Sequence, residues 1–249
     1  RAFLVGRRTP ATPFEQFCAR LTRTSLGAVR TEALNASSGL MRQAWLKPRR
    51  PEDVAHARAL CQEYGVALVL DGGERTTSGA QATLWVSPQT EGAAFSQTGA
   101  QTGVWRADAG CTVAQLKETG LFDQMALEPE LTLAQWFAWP AGTQRVPDPE
   151  ALILGALHMI ERVEVLLADG TVEVLGPFGA NSQAPLRSLT LQRLVPKLFE
   201  LATSDAAQRC AQTAPWPARY RLNALMATPE HEPNLAQLLV GHQGRHADT

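Results

Sequence analysis

A glycine-rich loop is the part of this sequence whose residue types best suit chemistry. It follows the apolar run Val66–Leu70 and has the sequence Asp71-Gly72-Gly73-Glu74-Arg75-Thr76-Thr77-Ser78-Gly79. Glycines after a strand let backbone N–H groups approach an anion closely, so such a loop can hold a phosphate. Its spacing matches neither the Rossmann pattern G-x-G-x-x-G nor the Walker pattern G-x-x-x-x-G-K-[ST]. On spacing alone, an ordinary turn is the alternative.

Other residue types that could do chemistry are scattered along the chain. The four cysteines are tens of residues apart and form no zinc or iron–sulfur ligand pair, so we predict free buried thiols at Cys18, Cys61, Cys111 and Cys210. His158 lies in an apolar helical pattern and is predicted to be buried and hydrogen-bonded. His231, between two glutamates, is predicted to lie in a solvated loop rather than bind metal. No G-x-S-x-G motif supports a hydrolase.

Length and composition limit the possible classes of protein. The chain has 249 residues, 45% of them hydrophobic and 19% charged, with a net charge of -1. These values predict a globular protein of one large or two small domains, without general attraction to nucleic acid or anionic lipid. No apolar run reaches the roughly 20 residues of a membrane-spanning helix. No signal peptide is predicted after Arg7-Arg8, and a leader preceding Arg1 stays open.

Caps and periodicity predict the elements around the glycine loop. Thr12 and Glu15 have capping-box spacing and predict a helix from Thr12 to Arg23. A strand near Trp45, a helix from Pro51 that stops at Gly65, and the strand Val66–Leu70 are predicted to form a parallel crossover unit. A further strand is predicted at Thr83–Val86.

The second half of the chain alternates short strands and helices. Glu91–Gly103 is predicted to be a flexible turn, and residues 121–150 are predicted to be loops and short pieces. Asp169-Gly170 between two alternating runs predicts a hairpin. The remaining predicted elements are the strand Val104–Ala109, a short helix between Thr112 and Gly120, the helix Pro149–Met159, the helix Leu186–Ala202 interrupted at Pro196, and a last short helix before Gly241.

The order of these motifs resembles the FAD-linked oxidase family, the flavin fold of vanillyl-alcohol oxidase and p-cresol methylhydroxylase. The resemblance is nearest to the D-lactate and glycolate dehydrogenase branch. Its members carry P-x-x-x-x-D/E-V before a helix and R-G-G-G-T-S-x-S-G after a strand. The matching residues here are Pro48, Pro51, Asp53, Val54, Gly72, Gly73, Ser78 and Gly79.

Further stretches are similar to the family in the same order. VWRADAGCTVAQL (104–116) is similar to a strand–glycine–helix segment, and Thr132-Leu133 falls where the family has T-I-G-G. GALHMIERVEVLLADG (155–170) is similar to a segment ending in V-x-L-x-D-G. LAQLLVGHQG (235–244) resembles L-x-x-L-x-V-G-S-E-G. The resemblance covers nearly the whole chain.

The resemblance implies an α+β fold of the FAD-binding PCMH type. Family enzymes also carry a cap domain after the flavin domain, and with about five residues after Gly244 we expect a single domain without a cap, either a trimmed piece of a larger protein or a stand-alone flavin-type subunit. Its two α+β subdomains would span about 1–88 and about 89–249. FAD would be the cofactor, with its pyrophosphate wrapped by glycine loops. The implied cofactor-binding residues are Gly72, Gly73, Glu74, Arg75, Thr76, Ser78, Gly79, Thr132, Ala134, Gln135, Gly241 and Gly244. No metal site is predicted.

The sequence departs from the family where phosphate contacts are expected. Glu74 replaces the third glycine of the first loop, and its carboxylate would repel a diphosphate. Ala134-Gln135 replaces the Gly-Gly of the second loop. His242-Gln243 replaces Ser-Glu at the third site, which makes His242 the one candidate catalytic base. Trp136 and Trp139 are predicted to pack in the core or at an interface.

Three hypotheses follow from this pattern. The first is an FAD-linked oxidoreductase domain or subunit that oxidises a small 2-hydroxy acid, lactate-like or glycolate-like, by hydride transfer to FAD. The second is a flavin-free structural or regulatory subunit that partners a catalytic flavoprotein. The third is a binding module that uses the cofactor cleft of this fold for another ligand. We expect a cytoplasmic location, or a peripheral one at the inner membrane through a catalytic or electron-transfer partner.

Overall fold

Helices and strands alternate along the chain, in agreement with the predicted α+β class. The computed structural model describes residues 11–32, 42–72, 81–90, 92–98, 103–123, 125, 127–140, 149–179, 185–213, 216, 220–227 and 232–243. The chain divides into two compact units, Arg1–Val69 with Thr76–Glu91 and Leu70–Arg75 with Gly92–Thr249. Among the described segments, no helix has the length and apolar character needed to cross a bilayer.

The first unit combines two helices with a four-stranded sheet. The helices are α1 (Pro13–Thr24) and α2 (Pro51–Tyr64), and the strands are β1 (Ala28–Glu32), β2 (Gln43–Lys47), β3 (Ala67–Leu70) and β4 (Thr83–Val86). The capping box that was predicted for α1 is present, because the Thr12 N–H donates to the Glu15 carboxylate at 2.7 Å. Gly65 ends α2 as predicted, with a left-handed φ of 64°.

The strand order in this sheet is β1-β2-β4-β3. β2 is antiparallel to β1 and parallel to β4. β4 lies between β2 and β3, the two strands that were predicted to form one parallel crossover unit. The reason is burial: every residue of β4 is buried, whereas every residue of β3 is only half-buried. A strand that is apolar on both faces is stabilised most at an interior position of the sheet.

Alternate residues of the two central strands build the core of this unit. Because side chains along a strand point to opposite faces in turn, Ala44 and Leu46 of β2 lie on the same face as Leu84 and Val86 of β4. This face belongs to one cluster with buried side chains of both helices, among them Phe17, Leu21, Ala57 and Leu60.

The second unit carries the remaining elements. They are β5 (Phe95–Gln97), β6 (Trp105–Ala107), α3 (Val113–Lys117), α4 (Leu133–Ala138), α5 (Pro149–Met159), β7 (Val163–Leu166), β8 (Val172–Leu175), α6 (Leu189–Ala202), α7 (Asp205–Ala211) and the 3-10 turns Leu222–Leu225 and Gln237–Leu239. The predicted hairpin is confirmed, since β7 and β8 pair antiparallel and Gly170 between them has a φ of 87°.

α4 is one of the short pieces predicted within residues 121–150; at six residues it is too short to show a helical period. Three local expectations for this unit are wrong. β5 lies inside the segment predicted to be a flexible turn, because it pairs antiparallel with β6. Pro196 lies within α6 without ending it. His158 is exposed rather than buried, and its Nδ1 lies 2.7 Å from the Leu154 carbonyl oxygen.

A buried carboxylate fixes the start of α2. The Asp53 side chain is 3% exposed and accepts hydrogen bonds from the backbone N–H groups of Leu26 at 3.1 Å, Arg49 at 2.9 Å and Arg50 at 3.3 Å. Desolvation alone would raise the pKa of Asp53, but these three donors and the Arg50 charge outweigh it, so its pKa is lowered. Asp53 thereby joins the end of α1, the approach to α2 and the helix itself.

Replacing this carboxylate should destabilise the protein. We expect Asp53→Ala to lower the free energy of unfolding by about 3 kcal/mol, because three backbone donors lose their acceptor. Glu52→Ala is the matched control, since the Glu52 side chain is 71% exposed in the same turn; it should cost less than about 0.5 kcal/mol. Urea unfolding followed by circular dichroism measures both.

The pH dependence of the free energy of unfolding checks this role of the Asp53 carboxylate. Because folding lowers the pKa of Asp53, its contribution is complete above the unfolded pKa of about 3.9 and disappears as the pH falls through the folded value. The stability difference between the wild type and Asp53→Asn should therefore shrink below about pH 4. A difference that stays constant down to pH 2 would contradict this role.

Candidate functional site

The described start of the glycine-rich loop lies against α4. β3 ends at Leu70, and the chain turns at Asp71 and Gly72, where Gly72 has a φ of 124°. A Cβ atom at Gly72 would collide with the side-chain amide nitrogen of Gln135. That Gln135 amide donates a hydrogen bond to the Asp71 carbonyl oxygen at 3.0 Å. The backbone conformation therefore favours glycine at position 72, and a methyl group there would also displace the Gln135 amide.

The other end of the Gln135 amide caps its own helix. Its Oε1 accepts hydrogen bonds from the Thr132 N–H at 3.1 Å and from the Thr132 hydroxyl at 3.0 Å. The Thr132 hydroxyl in turn accepts from the Gln135 N–H at 3.3 Å. This reciprocal capping box starts α4. Gln135 is thus hydrogen-bonded at both ends, to the helix start and to the loop.

The backbone donors at the start of α4 are all engaged within the protein. Besides the two amides of the capping box, the Leu133 N–H donates to the Cys111 carbonyl at 2.8 Å and the Ala134 N–H donates to the Ala109 carbonyl at 2.9 Å. A helix start binds an anion through N–H groups that lack partners. Residues 132–135 offer no such group in this arrangement.

The same four-residue device occurs a second time, at the start of α3. Thr112-Val113-Ala114-Gln115 forms a capping box like that of Thr132-Leu133-Ala134-Gln135. The two starts run antiparallel, with a bridge between Thr112 and Thr132, and the Val113 N–H donates to the Leu131 carbonyl at 2.8 Å. Gln115, unlike Gln135, is exposed. The repeated T-[VL]-A-Q in the sequence is the signal that would have revealed α4.

The third segment implied by the family resemblance packs at the far end of α4. The Gly241 N–H donates to the Phe137 carbonyl at 2.9 Å, and the Gln243 N–H donates to the Ala138 carbonyl at 3.0 Å. His242 is 3% exposed, and its ring centroid lies 5.6 Å from that of Phe137. This candidate base is therefore buried beside an aromatic ring.

We call the set Asp71–Gly72, Thr132–Gln135 and 241–243 the α4 junction. All of it belongs to the second unit. It unites the predicted site residues Gly72, Thr132, Ala134, Gln135, Gly241 and His242. The other predicted site residues, Gly73, Glu74, Arg75, Thr76, Ser78, Gly79 and Gly244, lie outside the described residues, as does His231.

The neighbouring Trp136 packs in the core, and three of the four cysteines are buried. Trp136 is buried and packs edge-on against Phe122, with 4.8 Å between ring centroids, as predicted for a core residue. Burial raises the pKa of Cys18 to about 11 and that of Cys61 to about 12, so neither provides a thiolate near neutral pH. Cys111 is buried too, and Cys210 is half-buried, which differs from the prediction of four buried thiols.

Comparisons with known proteins give structural similarities only. No protein-family model matches the chain, and no curated protein sequence matches it. The structure is similar to 4-ethylphenol oxidase from Gulosibacter chungangensis in an isoeugenol complex, with a TM-score of 0.47 and 16% identity over 76% of this chain and 40% of that one. It is also similar to Physcomitrella patens BBE-like 1, with a TM-score of 0.42 and 17% identity over 66% of this chain and 38% of that one.

Those similarities are too low to establish a shared fold or activity. This chain spans well under half the length of each of the two proteins.

A flavin diphosphate makes two demands on these residues, which are close approach to the backbone and unoccupied hydrogen-bond donors. Gly72 meets the first demand, since it is exposed, has no side chain and is held at positive φ. Residues 132–135 do not meet the second, because their N–H groups are already bonded. Among the described residues, Gly72 thus offers backbone that a diphosphate could approach, but the side chain of Gln135 lies across that face and would have to move first.

The capping of α4 can be tested by removing one hydroxyl. Thr132 is fully buried, and we expect Thr132→Ala to lower the free energy of unfolding by about 1 to 2 kcal/mol more than Thr132→Ser, which keeps the hydroxyl. Urea unfolding of the two variants measures this difference. Equal stability of the two variants would show that the cap contributes nothing.

Proposed function

We propose that this chain is an FAD-linked oxidoreductase domain or subunit of the PCMH type. The observation that supports it is the α4 junction itself. The start of α4 and two segments that are tens of residues away in sequence, all three implied by the family resemblance to contact the cofactor, come together at this one short helix. Two of them turn through positive-φ glycines, Gly72 and Gly241, which keep side chains away from the space next to the backbone.

In this proposal the loop that starts at Asp71 holds the pyrophosphate. Backbone N–H groups of Gly72, Gly73, Ser78 and Gly79 would donate to the phosphate oxygens, and Arg75 would offset the Glu74 charge. Gly241 and Gly244 would lie near the flavin or its ribityl chain. When bound, FAD supplies the hydride-accepting ring, while the protein supplies orientation and electrostatics.

The second candidate function is a flavin-free structural or regulatory subunit that partners a catalytic flavoprotein. The specific observation in its favour is the set of satisfied donors at residues 132–135, because a segment that no longer contacts phosphate is free to bond its amides internally. The presence of Glu74 where the family has a glycine also favours the flavin-free candidate.

FAD titration of the purified 249-residue chain separates the two candidates. We expect saturable binding in the micromolar range, followed by flavin fluorescence and visible absorbance. Gly72→Ala should weaken it at least about tenfold, because the new methyl group enters the space that the phosphate must approach. Gly65→Ala is the matched control: Gly65 also has positive φ, but it lies at the end of α2 with nothing within 4 Å.

Binding that is absent from the wild type at high micromolar FAD would reject the first candidate in favour of the second. Equal affinity of the wild type and Gly72→Ala would reject Gly72 as part of the site.

The substrate class is a finer proposal that rests on the sequence resemblance. We propose a small 2-hydroxy acid, with His242 as the candidate base near the reacting carbon. Anaerobic addition of lactate or glycolate to the FAD-loaded protein should bleach the visible flavin spectrum. Propionate and acetate, which lack the hydroxyl group, should leave it unchanged. Failure of every 2-hydroxy acid to bleach a flavin that is demonstrably bound would overturn this substrate class.

A further inference from the structure

We infer that Gln135 is a latch that holds Asp71 against α4 and covers the face of Gly72 that a diphosphate must approach. The inference rests on the proposed function, since that function makes Gly72 part of the cofactor site. It goes further by naming the protein group that must leave before the cofactor can bind.

The latch follows from the two bonds of one side chain. Gln135 Oε1 accepts from Thr132, which anchors the amide to the helix start, and Nε2 donates to the Asp71 carbonyl at 3.0 Å. The amide therefore joins two segments that are 64 residues apart in sequence. An anchored amide is held more firmly over Gly72 than a side chain that is free at its other end.

The contact with Gly72 makes the latch and the phosphate mutually exclusive. The Gln135 amide lies so close that even one methyl group at Gly72 would collide with it. A phosphate oxygen that approaches the same face needs at least the room of that methyl group. The group in the way is the end of a flexible side chain, so rotation about its χ angles can clear the face without moving the backbone.

The twin capping box supplies the matched control. Gln115 caps α3 as Gln135 caps α4, with its Oε1 accepting from the Thr112 N–H at 2.8 Å. Gln115 is exposed and lies on a helix start that carries no predicted cofactor residue. Gln115→Ala thus removes the same capping interaction without touching the loop at Asp71.

The experiment compares FAD affinity in four versions of the 249-residue chain, namely the wild type, Gln135→Ala, Gln135→Glu and Gln115→Ala. We expect Gln135→Ala to bind FAD about tenfold more tightly than the wild type, equivalent to about 1.4 kcal/mol, because binding no longer breaks a hydrogen bond. Gln115→Ala should bind like the wild type. Equal affinity of Gln135→Ala and the wild type would overturn the latch and leave the proposed function standing.

A second readout does not depend on FAD. Gln135→Glu keeps the oxygen that caps α4 but loses the N–H donor to Asp71, so the helix start is preserved and the Asp71 carbonyl is released. Trypsin cleavage after Arg75, followed by mass spectrometry, should be faster in both Gln135 variants than in the wild type and Gln115→Ala. Circular dichroism confirms that each variant is folded.

FAD affinity and trypsin cleavage together distinguish a failure of the proposed function from a failure of the latch. If no variant binds FAD, the proposed function fails, and the protease rates alone decide the latch. Faster cleavage in both Gln135 variants then supports a latch on the loop, and equal cleavage in all four proteins overturns it.

Discussion

Backbone amides at a helix start need acceptors, and here two short helices supply acceptors for each other. The α3 and α4 starts run antiparallel, so carbonyl groups that precede one helix accept from the first turn of the other. Two threonine–glutamine caps complete the arrangement at Thr112 and Thr132. Everything proposed for the α4 junction depends on this constraint. Because the amides are satisfied without a ligand, α4 has a defined start in the free protein, and Gln135 has a fixed place beside the loop.

The bonded state of these amides limits which groups of the protein could recognise an anion. A helix start whose donors are all bonded contributes position rather than charge stabilisation, so in the proposed function recognition of the diphosphate would fall to the glycine backbone that begins at Gly72. Ala134 and Gln135 would then form a wall of the proposed site rather than donate to the phosphate. The FAD-binding candidate and the flavin-free candidate would both keep this wall. They would differ in whether the side chain of Gln135 moves away from Gly72 when FAD is added.

Local signals in the sequence predicted local structure well. The Thr12 capping box, the left-handed Gly65 and the Asp169-Gly170 hairpin were all predicted, because each depends on residues within a few positions of one another. The place of β4 between β2 and β3 was not, since strand order depends on burial across the whole unit. The contact between Gln135 and Asp71 was equally inaccessible, because no local pattern encodes a hydrogen bond across 64 residues.

The central place of β4 also has a consequence for folding that does not depend on any ligand. β2 and β4 are neighbours in the sheet, yet α2, β3 and the glycine-rich loop lie between them in the sequence. Closing such a long connection costs chain entropy before the contacts between the two strands form, which makes long-range parallel pairing slow. The folding rate would then depend on the length of this connection, whether or not its loop binds a phosphate.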